Sequence, residues 1–326
     1  MVSTGVGLSS LTRVPLSDAA LPEFDPVAPA WPGEQVTAGG VTLHVRRTPG
    51  PENSSATAVY VHGLGGSATN WTDLAGQLSG HAGGIAVDLP GFGRSEPVTG
   101  FTYTLDAQLD VLARFLRGLD LGPVHLFGNS MGGAISMLYA AKYPAQVRSL
   151  TLVSPAVPDL RPRLNRMSDP RLPLLFLPVV GPRVRRALAG MSPRERAMQL
   201  VRLCFADPSR IPEARLAEAE SEAAERAAMR WAATALSLSA VGLFRAWLAP
   251  KSRSLWTIAP RLTMPTLVVW GTQDKLVTVR KAPRLASSLP HARLLVLPRT
   301  GHVAQMERPV TVARAVLGMW ESGDTW

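Results

Sequence analysis

Cysteine is almost absent from this sequence, and other features that define broad protein classes are missing too. The 326 residues contain one cysteine, Cys204, so no intramolecular disulfide can form and no oxidising compartment is required. The apolar stretches are too short, or too often interrupted by proline, to cross a bilayer. The amino-terminal segment lacks the basic and then apolar regions of a secretory signal. These absences predict a soluble cytoplasmic protein without a transmembrane segment.

Acidic residues are outnumbered by basic ones, and the distribution of the excess indicates which partners to expect. The formal net charge is +10, and residues 156–258 alone contain 17 Lys and Arg against 9 Asp and Glu. There is no zinc-finger spacing, RNA-binding aromatic motif or dense basic run, so no nucleic-acid partner is expected. A solvated basic face is the favoured interpretation, with an acidic substrate or an anionic lipid surface as alternatives. Peripheral membrane contact through this segment, with Arg183, Arg185 and Arg186 as candidates, stays open.

Short apolar runs alternate with helical patterns in the first half of the chain. The clearest helical pattern covers Thr104–Leu121, with Thr104 as a candidate N-cap and Gly122 as a candidate stop. The strand-like runs are rich in β-branched residues and end in turn residues, which is typical of strands buried in a parallel sheet. A half-buried strand over Gly40–Thr48 precedes four such runs, over Thr57–Gly63, Gly84–Gly91, Val124–Ser130 and Ser149–Pro155. This alternation predicts βαβ units.

The alternation stops after Ser154, and helical patterns replace it. Within them the glutamate-rich helix Glu213–Arg230 is predicted to be a solvated face. Strand patterns resume over Pro265–Val277 and Ala292–His302. We therefore predict a proline-rich extension over residues 1–34, an α/β core over 35–155 and 259–326, and an inserted helical cap over 156–258.

A G-x-S-x-G pattern, Gly128-Asn129-Ser130-Met131-Gly132, lies between a predicted strand and a predicted helix. A serine on such a sharp turn requires small neighbours, because the backbone there is strained and closely packed. The turn projects the hydroxyl above the carboxyl end of the sheet, beside a helix N-terminus whose amides stabilise an anion. Ser130 is therefore a candidate nucleophile.

Two residues further along the chain complete the chemistry that a serine nucleophile needs. A serine hydroxyl is a weak nucleophile until a base takes its proton, and a third group must orient that base. Asp274 follows the apolar run Leu267–Trp270, and His302 follows the run Leu294–Leu297. The order serine, aspartate, histidine is the one that hydrolases with a strand–turn–helix nucleophile use. Ser130, Asp274 and His302 are therefore predicted to form a catalytic triad.

A glycine-rich loop, HGLGG, follows the first of the buried strands. We predict that the backbone N–H of Leu64 in this loop and that of Met131 form an oxyanion hole. His62 is expected to brace the loop rather than to transfer protons. His125 lies inside a predicted buried strand and is expected to be structural.

Five motifs in order resemble the α/β-hydrolase superfamily from residue 40 onward: HGLGG, DLPGFGRS, GNSMGG, GTQDKLV and GHVAQMERP. The resemblance implies an α/β-hydrolase fold, in which a mostly parallel eight-stranded sheet is flanked by helices and an inserted helical cap covers Ser130. It also implies a substrate pocket. The candidates for this pocket are Gly65, Asn129, Trp71 and Val303, although Trp71 is equally suited to packing beneath it.

The elbow and histidine motifs look most like the branch that holds meta-cleavage-product hydrolases and small-ester hydrolases. The former commonly carry tryptophans beside the histidine, where this chain has Val303 and Met306. The difference favours an esterase or lipase-like enzyme acting on a small-molecule ester or a lipid. A carbon–carbon bond hydrolase is the first alternative, and a non-catalytic ligand-binding protein of this fold is the second. No metal or organic cofactor is expected, because the sequence has no ligand-spaced His/Cys cluster and no dinucleotide fingerprint.

Overall fold

An eight-stranded sheet organises the computed structural model, which describes residues 11–52, 54–158, 190–323 and 326. The strand order is β1-β2-β4-β3-β5-β6-β7-β8. Strand β2 is antiparallel to both of its neighbours, and the other adjacent pairs are parallel. The strands are β1 (Gly33–Ala38), β2 (Val41–Thr48), β3 (Thr57–Val61), β4 (Gly83–Val87), β5 (Val124–Asn129), β6 (Val147–Val153), β7 (Thr266–Gly271) and β8 (Ala292–Leu297). The predicted fold class, a mostly parallel eight-stranded sheet flanked by helices, is confirmed.

Helices cover both faces of this sheet. Within the described ranges they are α1 (Thr72–Leu78), α2 (Leu105–Leu119), α3 (Met131–Lys142), α4 (Pro193–Cys204), α5 (Glu213–Ala228), α6 (Ala232–Trp247), α7 (Leu255–Ile258), α8 (Ala282–Ser288), α9 (Ala304–Glu307) and α10 (Pro309–Ser322). Val59 and Leu126 point into a core shared with α2 and α3, whereas Tyr60 and Phe127 point into a core shared with α1 and α10. Because successive side chains of a strand face opposite ways, the central strands need apolar residues at nearly every position.

The structure differs from the sequence prediction at one strand and at the end of one helix. Strand β1 was not predicted, because it is a largely exposed edge strand whose residues GEQVTA carry almost no apolar signal. Helix α2 begins as expected after Thr104, whose hydroxyl accepts a hydrogen bond from the N–H of Ala107 at 3.1 Å. It ends before Gly122, however, because Asp120 already adopts the left-handed conformation, with φ of 49°.

The described part of the amino-terminal extension lies along helices α1 and α10. Ser17 is joined to Arg314 of α10 by two hydrogen bonds, of 3.0 and 2.7 Å. The Trp31 indole N–H donates to the carbonyl of Thr72 at 3.0 Å, at the start of α1. This proline-rich segment is therefore packed against the core rather than free of it.

Helices α4, α5 and α6 fall between β6 and β7, within the range predicted as an insertion, and α5 docks on the core. Arg215 of α5 is buried and holds Asp73 of α1 through its Nε, at 3.1 and 3.2 Å, and its Nη2, at 2.6 Å. The prediction of a solvated face over Glu213–Arg230 therefore holds for Glu213, whose side chain is 72% exposed, but not for the charges that face the core. Arg215, Glu218 and Glu222 face the core, where Asp73 binds Arg215, Arg215 in turn lies 3.7 Å from Glu218, and Ser67 binds Glu222.

The helices between β6 and β7 also bear on the question of membranes. Among the described residues no single helix is long and apolar enough to cross a bilayer; α5 and α6 together have the length and composition, but they are bent by 100°. The arginines proposed to contact lipid, Arg183, Arg185 and Arg186, lie outside the described residues.

Candidate active site

Ser130 sits on a strained turn between β5 and α3. Its φ of 52° and ψ of −116° lie outside the regions that residues with a side chain ordinarily adopt, so the backbone here is strained. The flanking glycines are needed because the backbone is crowded. A Cβ on Gly128 would lie 2.5 Å from the carbonyl oxygen of Gly132, and a Cβ on Gly132 would lie 2.2 Å from that of Val61. The glycines of the G-x-S-x-G pattern therefore permit the turn that exposes the serine at the start of a helix.

Asp274 and His302 are joined by a hydrogen bond, with 2.9 Å between the carboxylate Oδ2 and the imidazole Nδ1. Both side chains are buried. Burial raises the pKa of Asp274, but the neighbouring His302 and the backbone N–H groups of Val277 and Leu276, each 2.8 Å from Oδ1, outweigh it and lower the pKa overall. The carboxylate is thus held ionised against Nδ1, which leaves Nε2 of His302 available for another partner.

The loop that carries His302 is fastened beside the serine turn. The amide of Asn129, the residue before Ser130, donates to the carbonyls of Val153 and His302 at 3.0 and 3.1 Å. On its other side, the N–H of His302 donates to the carbonyl of Cys204, at the end of α4, at 2.7 Å. Asn129 therefore ties together the ends of β5 and β6 and the loop after β8, and it does so from a buried position.

The glycine-rich loop after β3 forms a tight turn next to Ser130. The N–H of Gly66 donates to the carbonyl of Gly63 at 3.1 Å, and Gly65 has φ of 78°, as a type II turn requires. A Cβ on Gly63 would lie 3.1 Å from the Cβ of Ser130, so this loop and the serine are in contact.

His62 fixes the start of this loop. Its Nδ1 lies 2.7 Å from the carbonyl of Gly63, and its Nε2 accepts the N–H of Leu89 at 3.0 Å, so the ring is neutral with its proton on Nδ1. Burial lowers the pKa of His62, which also favours the neutral ring. Both ring nitrogens are occupied, as expected of a bracing residue.

The backbone N–H groups predicted to form the oxyanion hole lie on the two sides of this contact. Met131 is the first residue of α3, where an N–H has no acceptor within the helix. Leu64 stands in the turn Gly63–Gly66, outside its closing hydrogen bond. Among the described residues, no backbone carbonyl or side chain receives either N–H.

The candidate pocket residues occupy different environments. Trp71 is fully buried between Tyr60 and Phe127, with ring centroids 5.4 and 6.2 Å away, so the geometry favours the packing role. Val303 is buried with residues of helix α4. Gly65 lies next to helix α6, since a Cβ there would be 3.5 Å from Leu236 of that helix.

Two functional candidates on α5 are absent from the sequence prediction. Glu222 accepts a hydrogen bond from the hydroxyl of Ser67, and Arg226 approaches the carbonyl of Gly65 at 3.4 Å. Their spacing of four residues places both on one side of the helix. Nothing local distinguishes them from the other charges of this helix, because their partners lie more than 150 positions earlier in the chain.

Comparison with known proteins places this geometry in a family context. Residues 59–309 match the family described as the alpha/beta hydrolase fold. The chain is 27% identical over 266 residues to lipase 3 of a Moraxella species, covering 78% of this chain and 75% of the lipase. It is also 27% identical over 285 residues to a 2-hydroxy-6-oxo-2,4-heptadienoate hydrolase of Pseudomonas putida, covering 85% of this chain and 91% of that enzyme.

Solved structures with the same fold include a putative lipase of Acinetobacter baumannii. It superposes with a TM-score of 0.74 at 24% identity, covering 90% of this chain and 92% of that one. At 24% identity this similarity shows that the two chains share a fold.

Proposed function

We propose that this chain, which belongs to the α/β-hydrolase fold family, is a serine hydrolase that cleaves carboxylic esters through an acyl-enzyme. The observation that carries the proposal is the hydrogen bond between Asp274 and Nδ1 of His302, beside a serine held at φ of 52° on the strand–helix turn. A histidine that a carboxylate orients, on a loop fastened beside a serine, is the arrangement that activates a hydroxyl. The similarity to a lipase over most of both chains supports the same activity.

The proposed reaction has two halves. The Oγ of Ser130 attacks the ester carbonyl carbon while Nε2 of His302 takes the hydroxyl proton, and Asp274 stabilises the charged ring. The N–H groups of Leu64 and Met131 hold the oxyanion of the tetrahedral intermediate. Collapse breaks the bond to the alcohol, which leaves with the proton from His302. Water, deprotonated by His302, then attacks the acyl-serine, and the acid is released as Ser130 recovers its proton.

The variant Ser130→Ala tests this assignment. We expect hydrolysis of p-nitrophenyl butyrate and labelling by a fluorophosphonate probe both to be lost, because the nucleophile is gone. Ser288→Ala is the control, since that hydroxyl donates to the carbonyl of Arg284 within α8, away from the proposed triad. Turnover that survived in Ser130→Ala would refute the proposal, and a wild type that the probe failed to label would favour a non-catalytic ligand-binding protein.

Carbon–carbon bond hydrolysis is the second candidate, and one observation favours it. The similarity to the heptadienoate hydrolase covers 91% of that enzyme, a larger share than for the lipase. Assays of p-nitrophenyl esters and of a ring-cleavage dienoate side by side separate the two reactions. We expect the ester to be preferred, and a dienoate preference of many orders of magnitude would reverse the assignment.

We further propose that the enzyme takes lipid esters from an anionic membrane surface, which it touches through helix α6. Leu238, Val241 and Leu248 share one face of this segment and are exposed, Leu248 to 86%. Residues 226–273 contain six Lys and Arg and neither Asp nor Glu, so the chain segments on both sides of this face carry only positive charge. An exposed apolar face with basic flanks suits an anionic bilayer.

Co-sedimentation with vesicles tests this surface. We expect binding to phosphatidylglycerol vesicles but weaker binding to phosphatidylcholine, and loss of both in the double variant Leu238→Gln/Leu248→Gln. Val98→Gln is the matched control, because Val98 is 71% exposed but lies in the loop between β4 and α2. Equal binding by the double variant and the wild type, or no binding by the wild type, would contradict the membrane proposal and leave the ester assignment intact.

A further inference from the structure

Two charged side chains of helix α5 contact the glycine-rich loop from outside the catalytic core. The hydroxyl of Ser67 donates a hydrogen bond that both carboxylate oxygens of Glu222 share, at 2.8 and 2.9 Å. Arg226, one helical turn later, donates to the carbonyl of Gly65 at 3.4 Å, and its guanidinium lies 5.6 Å from the ring centroid of Phe92. The hydrolytic steps described above use neither residue.

The loop that they contact has little conformational preference of its own. Three of the four residues from Gly63 to Gly66 are glycine, the residue with the greatest backbone freedom. The position of the Leu64 N–H therefore depends on what fastens the loop at its ends. His62 fastens the start, through its bonds to Gly63 and Leu89.

Ser67 fastens the end of the same loop. Its hydroxyl caps the short helix Ala68–Trp71, and its N–H donates to the side chain of Asn70 at 3.2 Å. The same hydroxyl carries the bond to Glu222. The carboxylate of Glu222 therefore holds the residue that follows the glycine turn, while Arg226 contacts the carbonyl of Gly65 inside the turn.

We propose that Glu222 and Arg226 are positioning residues, which hold the loop Gly63–Ser67 so that the N–H of Leu64 meets the oxyanion. Helix α5 would then contribute to catalysis through the loop, without touching the substrate. The inference rests on the proposed function, because it assigns these residues to the oxyanion hole of that reaction.

The strength of this hold depends on the charge of Glu222. The ionisable groups that act on its carboxylate are Asp88, Arg94, Glu218 and Arg226. Burial, and then the negative charge of Asp88, raise the pKa of Glu222 to about 7, against the opposing hydrogen bonds from Ser67 and Thr69. A hydroxyl binds an ionised carboxylate more strongly than a protonated one. The loop is therefore held more firmly above pH 7 than below it.

The variant Glu222→Gln tests the proposal, because it preserves the shape and a hydrogen-bond acceptor but removes the charge. kcat and KM for p-nitrophenyl butyrate are measured from about pH 5.5 to about pH 9. We expect the wild-type to variant ratio of kcat/KM to rise from near one below pH 6 to about tenfold above pH 8, with a midpoint near 7.

The loss should fall on kcat and not on KM, because an oxyanion donor acts in the transition state. Arg226→Met should lower kcat at every pH, also with KM unchanged. Glu220→Gln is the matched control on the same helix, since Glu220 pairs with Arg194 of α4 at 3.2 Å and not with a group around Glu222. It should keep the wild-type kcat and pH profile.

Hydrogen exchange of the amides of residues 63–67 provides a readout that needs no activity. At about pH 8 we expect faster exchange in Glu222→Gln than in the wild type and in Glu220→Gln. Wild-type kcat and wild-type exchange in Glu222→Gln would overturn the inference. A wild type without esterase activity or fluorophosphonate labelling would instead refute the proposed function, and the exchange result would still decide whether Glu222 positions the loop.

Discussion

Two buried ionisable groups are expected to make the stability of this protein respond to pH in opposite directions. Glu222 has its pKa raised from 4.5 to about 7, mainly by burial. His125 has its pKa lowered from 6.5 to about 4, again mainly by burial and then by the charge of Arg148. Its ring is stacked on Trp320, with centroids 4.0 Å apart, and bonded to the hydroxyl of Ser149.

The sign of each contribution follows from which state binds the proton. Between pH 4.5 and 7 the folded protein keeps the proton on Glu222 while the unfolded chain has lost it, so the free energy of unfolding falls as pH rises. Between pH 4 and 6.5 the unfolded chain protonates His125 while the folded protein does not, so the free energy of unfolding rises with pH. Each shift corresponds to about 3 kcal/mol across its window, and the two slopes cancel where the windows overlap.

A single variant at either residue removes that residue's contribution to the pH dependence of the free energy of unfolding. Relative to the wild type, Glu222→Gln should gain about 3 kcal/mol between pH 4.5 and pH 8, whereas His125→Phe should lose about 3 kcal/mol between pH 4 and pH 7. His125→Phe also loses the bond to Ser149, which shifts its whole curve by about 1 kcal/mol without altering the slope. Urea unfolding at a series of pH values measures both, provided that the m-value stays constant. A pH-independent difference from the wild type for either variant would refute the burial argument for that residue.

Two further predictions concern packing. Asp73→Ala leaves Arg215 buried without its carboxylate and should lower the free energy of unfolding by about 3–5 kcal/mol, whereas Asp73→Leu combined with Arg215→Met should recover most of that loss in urea unfolding. A double variant as unstable as the single one would contradict this account. Gly132→Ala places a Cβ 2.2 Å from the Val61 carbonyl oxygen and should reduce both stability and esterase rate, whereas Gly80→Ala, where a Cβ meets nothing within 4 Å, should change neither by more than about 1 kcal/mol or twofold. Equal thermal denaturation and activity of these two variants would show that the elbow is not crowded.

The elements nearest the proposed chemistry were the easiest to predict from sequence. Strand β5 and helix α3 flank Ser130, and both carry strong local signals: a nearly all-apolar run and then small residues at the turn. The hydrogen bond between His302 and Asp274 joins two residues that each follow an apolar strand at the same edge of the sheet. A pattern that fixes where parallel strands end thus also fixes which side chains meet there.

The edge strand β1 and the buried charges of helix α5 were harder to predict, because both depend on partners that are distant in the chain. The strand Gly33–Ala38 is polar and exposed, and it is held by pairing with β2 rather than by an apolar face. The burial of Arg215 depends on Asp73, which lies 142 positions earlier in the chain. In a sequence window both arginine and glutamate indicate solvent, so a charge buried by a remote partner gives no local sign of it.

Buried charges of this kind are costly to retain, which bears on why helix α5 carries Glu222. An ionised carboxylate in this position lowers stability above pH 7, by the same shift that makes it titrate there. Glutamine would keep a hydrogen-bond acceptor for Ser67 at no such cost. The charged residue is therefore a poor choice for stability and a sensible one for holding a glycine loop by a charge-assisted bond. If Glu222→Gln is both more stable at about pH 8 and slower in kcat, the carboxylate serves the proposed oxyanion hole at the expense of the fold; if it is more stable and equally fast, that explanation fails.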